Sequence, residues 1–164
     1  MTISTISRRN TWAILIACAT SVPGQNPPTK PKVVFVCEHG AAKSILAAAE
    51  FARMAKQRGL EFTILSRGTN PDAEIAAGVR QGLKADGMEV SAAKPMKIAA
   101  KDLEGATKVI TFGPDLSEWL SKNTKALDWS ATPSPGKDYG AARDHLRKEL
   151  ETLLNDLQPA RTRK

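Results

Sequence analysis

From residue 32 onward, short apolar runs alternate with amphipathic segments, the pattern of βα units on a parallel sheet. Val33–Cys37 is an unbroken run of β-branched, aromatic and thiol residues and predicts a first strand. Ser44–Arg58 carries Ile45, Leu46, Ala49, Phe51 and Ala52 mostly at helical spacing, and Gly59 closes it. Phe62–Ser66 predicts a second strand, ended by Arg67-Gly68-Thr69. Asn70-Pro71-Asp72 is read as the opening of a helix through about Ala85, with Ile75, Val79 and Leu83 on one face and Gly87 as its stop.

Further along, Met88–Val90 reads as a short extended piece and Ala99–Leu103 as one or two helical turns. Lys108–Phe112 predicts a third strand, and Gly113-Pro114-Asp115 leads into an expected short helix, Leu116–Ser121. Lys125–Trp129 predicts a fourth strand, and Pro133–Gly136 reads as a loop. Asp138 is placed to cap a last helix that runs to about Leu157. The fold class expected is α/β, with three layers and a four-stranded parallel sheet flanked by helices. In such a doubly wound sheet ligands sit beyond the carboxyl ends of strands, which points to the loop after the first strand.

The flanks follow a different pattern. Arg8-Arg9 precede the apolar stretch Thr11–Ala19, which is too short to span a bilayer, so residues 1–25 read as an export signal. Ala17-Cys18-Ala19 offers a small-x-small cleavage site and Leu15-Ile16-Ala17-Cys18 resembles a lipobox that would lipidate Cys18, while Ser7-Arg8-Arg9 partly resembles a twin-arginine signal. Each predicts export to the periplasm or the cell envelope, with membrane attachment only through a lipid on Cys18. Residues 26–31 form a proline-rich linker, residues 32–158 the domain, and residues 159–164 a basic tail.

The chain of 164 residues is 41% hydrophobic and 25% charged, enough for one core. Its formal charge of +7 is spread through helices and tail without an aromatic-rich basic stripe, which argues against a nucleic-acid partner and for solubility and attraction of anions. Only Cys18 and Cys37 are present, so Cys37 has no structural disulfide partner once the signal is removed.

The chemistry expected at Cys37 follows from its place. Backbone N–H groups from Glu38, His39, Gly40, Ala41, Ala42 and Lys43, with the N-terminus of the following helix, can converge on a tetrahedral oxyanion. The same field favours a thiolate nucleophile at Cys37. Gly40, Ala41 and Ala42 keep the loop free of bulk, and Ser44 can donate to the sulfur. A nucleotide-binding phosphate loop does not fit, because Ala42 and Cys37 stand at positions that pattern assigns to Gly.

Cys37, five intervening residues, a basic residue and Ser44 resemble the Cys-x5-Arg-Ser loop of the low-molecular-weight protein tyrosine phosphatases and their arsenate reductase relatives. Ser66-Arg67-Gly68-Thr69 is similar to that family's Ser-Ala-Gly-Thr segment, and the order of elements agrees from about residue 32 to 157. A bacterial subgroup carrying Cys-Glu-His-Gly-x-Ala-Lys-Ser is also similar. The resemblance implies the phosphotyrosine protein phosphatase I-like fold, with residues 37–44 as the active site and Cys37, Lys43 and Ser44 as its catalytic side chains.

Two positions depart from the family pattern. Lys43 replaces an Arg, and an ammonium cannot make the bidentate contact of a guanidinium to a phosphoryl group. Ser130 and Ala131 stand where relatives carry the acidic general acid. Arg67 is a possible substitute guanidinium and Asp128 a possible substitute acid, while Trp129 and Tyr139 are candidate walls for an aromatic substrate. Three functions stay open: hydrolysis of a phosphomonoester without metal or cofactor, arsenate reduction by an external thiol, and oxyanion or partner binding without turnover.

Overall fold

The computed structural model describes residues 30–90, 93–120 and 126–158; the expected export signal, most of the linker and the basic tail lie outside the described residues. Strand β1 (Lys32–Cys37) forms where four consecutive β-branched or aromatic residues are buried on both faces, as a central parallel strand requires. It pairs in parallel with β2 (Thr63–Gly68) on one side and β3 (Lys108–Thr111) on the other, and β4 (Ala126–Asp128) continues the sheet in the order β2-β1-β3-β4. Reversal of winding between β2 and β3 leaves the loop after β1 at the switch point.

Alternation along β1 sorts the core. Val33, Phe35 and Cys37 face a cluster built with α1 (Lys43–Gln57), α2 (Ala77–Ala85) and α4 (Tyr139–Leu157). Val34 and Val36 face a smaller cluster containing Ile98, Leu116 and Leu103 of α3 (Ala100–Leu103). Phe51 packs edge-on to Phe35 at 5.7 Å and to Phe62 at 5.0 Å. Burying each such ring contributes about 1.5–3 kcal/mol.

Two devices hold α4 against its neighbours. Glu50, fully buried on α1, accepts hydrogen bonds from Arg53 and Arg147, which meets the cost of its burial. The Tyr139 ring lies on Gly82, where an added Cβ would fall 2.5 Å from ring carbons, and its hydroxyl donates to Asp86 at 2.9 Å. Burial, together with that bond, pushes the tyrosine hydroxyl's pKa upward. Asp138 caps α4 as expected, accepting from the Ala141 amide at 2.9 Å.

Three expected elements differ. The helix expected from residue 70 starts only at Ala77, because amides of residues 69–76 are spent on another loop. In place of a helix at Leu116–Ser121, the described residues form a turn: the Asp115 carboxylate accepts from the Ser117 amide and hydroxyl, an alternative to helical bonding. Met88–Val90 lies outside the sheet and packs Met88 and Val90 on the larger core cluster.

Candidate active site

Cys37 is the last residue of β1 and only 7% exposed. Its Sγ receives the Gly40 N–H at 3.1 Å and lies 3.1 Å from Ser44 Oγ, which in turn accepts the Ser66 hydroxyl at 2.9 Å. Ser44 accepts from Ser66 and keeps its own O–H free to donate to sulfur. The Gly40 amide and the Ser44 hydroxyl thus both lie within hydrogen-bond distance of a sulfur at an otherwise apolar strand end.

Main-chain bonds orient the loop that follows. The carbonyls of Cys37, Glu38, His39 and Ala41 accept amides from Thr69, Asn70, Asp72 and Ala76 at 3.1, 2.8, 3.0 and 3.1 Å. In a trans peptide the N–H points opposite to the carbonyl, so these bonds on the outer side turn the amides of Glu38, His39, Gly40 and Ala42 inward. The Gly40 N–H reaching Sγ is one of the four. Ala42 is the N-cap of α1 and offers no side-chain cap, which leaves the first helical amides without a side-chain acceptor.

The close fit explains two glycines. Gly40 sits at φ +60°, and the β2 end approaches it so closely that a Cβ on Gly68 would lie 2.7 Å from the Gly40 nitrogen.

A cleft of about 260 Å³ opens over this loop, lined by Cys37, Glu38, His39, Ala42, Lys43, Phe112, Ser134 and Pro135. Lys43 Nζ reaches across it to donate to the Ser130 carbonyl at 3.3 Å. Glu38 and His39 stand at the rim with side chains 66% and 53% exposed, and His39 pairs with Asp72. An adjoining groove of about 470 Å³ shares Glu38 and Phe112 and adds Asp115, Glu118 and Trp119.

Four accessory candidates lie elsewhere. Arg67, in register with Val36, points to the opposite face of the sheet, where it is 13% exposed and bound bidentate by Asp102 at 2.9 and 3.1 Å. Asp128 accepts the Ser130 amide at 2.8 Å and hydroxyl at 3.1 Å, a turn that folds its carboxylate back on its own loop. Trp129 packs against Phe35 and Phe112 at 6.3 and 6.1 Å as core. Tyr139 serves the α2–α4 contact instead of a pocket wall. Ser66, one residue earlier in the same segment, is the side chain that reaches the site, through Ser44, and sequence reasoning did not single it out.

Residues 32–127, more than half the chain, match the model of the low molecular weight phosphotyrosine protein phosphatase family. The chain belongs to that family. No curated protein matches it by sequence. Among solved structures, the thioredoxin-dependent arsenate reductase of Corynebacterium glutamicum is similar at a TM-score of 0.69 and 23% identity; the match covers 80% of this chain but only 63% of that one. The low molecular weight protein tyrosine phosphatase of Streptococcus pyogenes follows at TM-score 0.67 and 19% identity, covering 79% and 95%. The YwlE arginine phosphatase of Geobacillus stearothermophilus is similar at TM-score 0.58 and 20% identity, covering 78% and 93%. At these identities the likeness is one of fold. Within this phosphatase family fold, the described cleft presents a sulfur, inward amides and an ammonium, with no carboxylate from the 129–138 side.

Proposed function

We propose that this family member catalyses phosphoryl transfer through Cys37, hydrolysing phosphomonoesters. Cys37 Sγ attacks phosphorus, the P–O bond to the leaving group breaks, and water then cleaves the cysteinyl-phosphate. The inward amides of residues 38, 39, 40 and 42, the first turn of α1 and Lys43 stabilise the equatorial oxygens. The observation that carries the reading is the sulfur held by the Gly40 amide and the Ser66–Ser44 relay at the floor of the cleft. The chemistry calls on no metal or cofactor. With Lys43 in place of a guanidinium, turnover is slow.

The second reading is arsenate reduction. Cys37 attacks arsenate and an external thiol resolves the adduct, since Cys37 is the one free cysteine among the described residues. The similarity to a thioredoxin-dependent arsenate reductase supports it at the level of fold. Export by residues 1–25 would place either activity at the cell envelope.

Wild-type protein and Cys37→Ser are compared on p-nitrophenyl phosphate and on arsenate with added thiol. Loss of nitrophenol release in the variant supports the first reading; Cys37-dependent reduction alone supports the second. If neither reaction depends on Cys37 while phosphate still raises the melting temperature, the site binds oxyanions or a partner without turnover.

A further inference from the structure

The cleft has a nucleophile and a cradle, but its 129–138 side brings only Ser134 and Pro135 to it. A proton for the departing oxygen must come from elsewhere. On the opposite rim His39 lines the same cleft as Cys37, with Nδ1 3.2 Å from Asp72 Oδ1. The two residues are joined a second time through the main chain, where the Asp72 amide donates to the His39 carbonyl at 3.0 Å. A carboxylate on Nδ1 fixes the ring and assigns its proton, leaving Nε2 for a reacting group. The other charged groups that line the cleft are Glu38, with Oε2 3.7 Å from Nε2, and Lys43.

We propose that His39 is the general acid of the phosphoryl transfer and that Asp72 positions it, a proposal that rests on the phosphatase reading above. As the S–P bond forms at Cys37 and the P–O bond breaks, the Nε2 proton passes to the leaving-group oxygen and the imidazole becomes neutral. In the second half, Nε2 takes a proton from the attacking water as the S–P bond breaks. This restores the Cys37 thiolate and the imidazolium and releases phosphate. Dependence on protonation thus moves from the 129–138 loop to the nucleophile loop itself.

Leaving-group dependence separates this role from simple anion attraction. Steady-state kinetics of the full chain, Cys37→Ser, His39→Gln and Asp72→Asn are measured on phenyl phosphate, whose phenolate leaves poorly, and on p-nitrophenyl phosphate, whose phenolate leaves unaided. His39→Gln should lower kcat/KM about 100-fold on phenyl phosphate and less than about tenfold on the nitrophenyl ester. Asp72→Asn should show the same order with a smaller loss, and serves if His39→Gln does not fold. The basic-side fall of the wild-type phenyl phosphate profile should be absent from His39→Gln.

Equal losses on both esters, or none, would overturn the proposal while leaving the phosphatase reading intact. The same holds if the leaving-group-dependent loss appears in Glu38→Gln instead. Turnover of both esters that survives Cys37→Ser would overturn the phosphatase reading, and the role of His39 with it.

Discussion

Residues 37–44 and residues 129–138 bound the same cleft from opposite sides. In the first, four carbonyls are held by the 69–76 segment and the sulfur by two donors. In the second, Asp128 is folded onto Ser130, the Ser134 carbonyl accepts the amides of Lys137 and Asp138, and Ser134 and Pro135 face the cleft. The proposed anion cradle on one side thus rests on main-chain atoms, which any sequence keeping this backbone supplies. Protonation of a leaving group, by contrast, needs one side chain at one position, and the second side brings only Ser134 and Pro135 to the cleft. A site of this construction can lose its acid without losing its cradle, so binding and turnover have to be tested apart.

The cradle breaks first where two backbones touch. A Cβ on Gly68 would fall 2.7 Å from the Gly40 nitrogen and 2.9 Å from the Glu38 carbonyl oxygen, both main-chain atoms that can yield only by moving the loop. Gly68→Ala should therefore lower kcat/KM on p-nitrophenyl phosphate about 100-fold through misplacement of the amides. Overpacking should also cost about 1–3 kcal/mol in a denaturant titration. Unchanged turnover would mean that the loop does not depend on the close approach.

The opposing side is tested by restoring what it lacks. Ser134 lines the cleft, so Ser134→Asp should raise the rate on phenyl phosphate by about tenfold and leave p-nitrophenyl phosphate little changed. Asp128→Asn should alter neither substrate by more than about twofold, because that exposed carboxylate serves a turn. A smaller loss is expected within the cradle. Ser66→Ala removes the hydroxyl that orients Ser44, and kcat should fall roughly three- to tenfold, the worth of one hydrogen bond.

Much of this comparison is legible in the residues because the forces involved are local. The apolar run at Val33–Cys37, the Asp138 cap and the Cys37–Ser44 spacing each define structure within a few positions. Residues 70–76 read as helix because their apolar spacing is local, whereas the partners of their amides, the carbonyls of residues 38–41, are remote in sequence. Strand parity separates Ser66 from Arg67. The residue opposite Phe35 shares the face of Cys37, and the residue opposite Val36 does not. Parity requires the register, which the sequence alone leaves open. Trp129 and Tyr139 illustrate the same limit, since an aromatic near a site and an aromatic in the core look alike until their neighbours are known.

Arg67 supplies a second control for the comparison, because little effect on turnover is expected there either. The Arg67 guanidinium, its two bonds to Asp102 and the Ala99 amide at 3.0 Å hold the Asp102 carboxyl below the usual carboxylate range. A carboxyl whose pKa is lowered on folding stabilises the protein above its unfolded value of about 4, and that contribution is lost as pH falls through the lower folded value. Arg67→Met removes one partner of a largely buried pair and should lower stability at neutral pH by about 3 kcal/mol. Below about pH 4 the difference from wild type should shrink, as Asp102 becomes protonated in both. Because Arg67 faces away from the cleft, kcat/KM of the folded variant should stay within about twofold of wild type. A much larger loss of activity at full folding would mean that the guanidinium leaves Asp102 to reach the substrate, and that the face opposite Cys37 takes part in the chemistry.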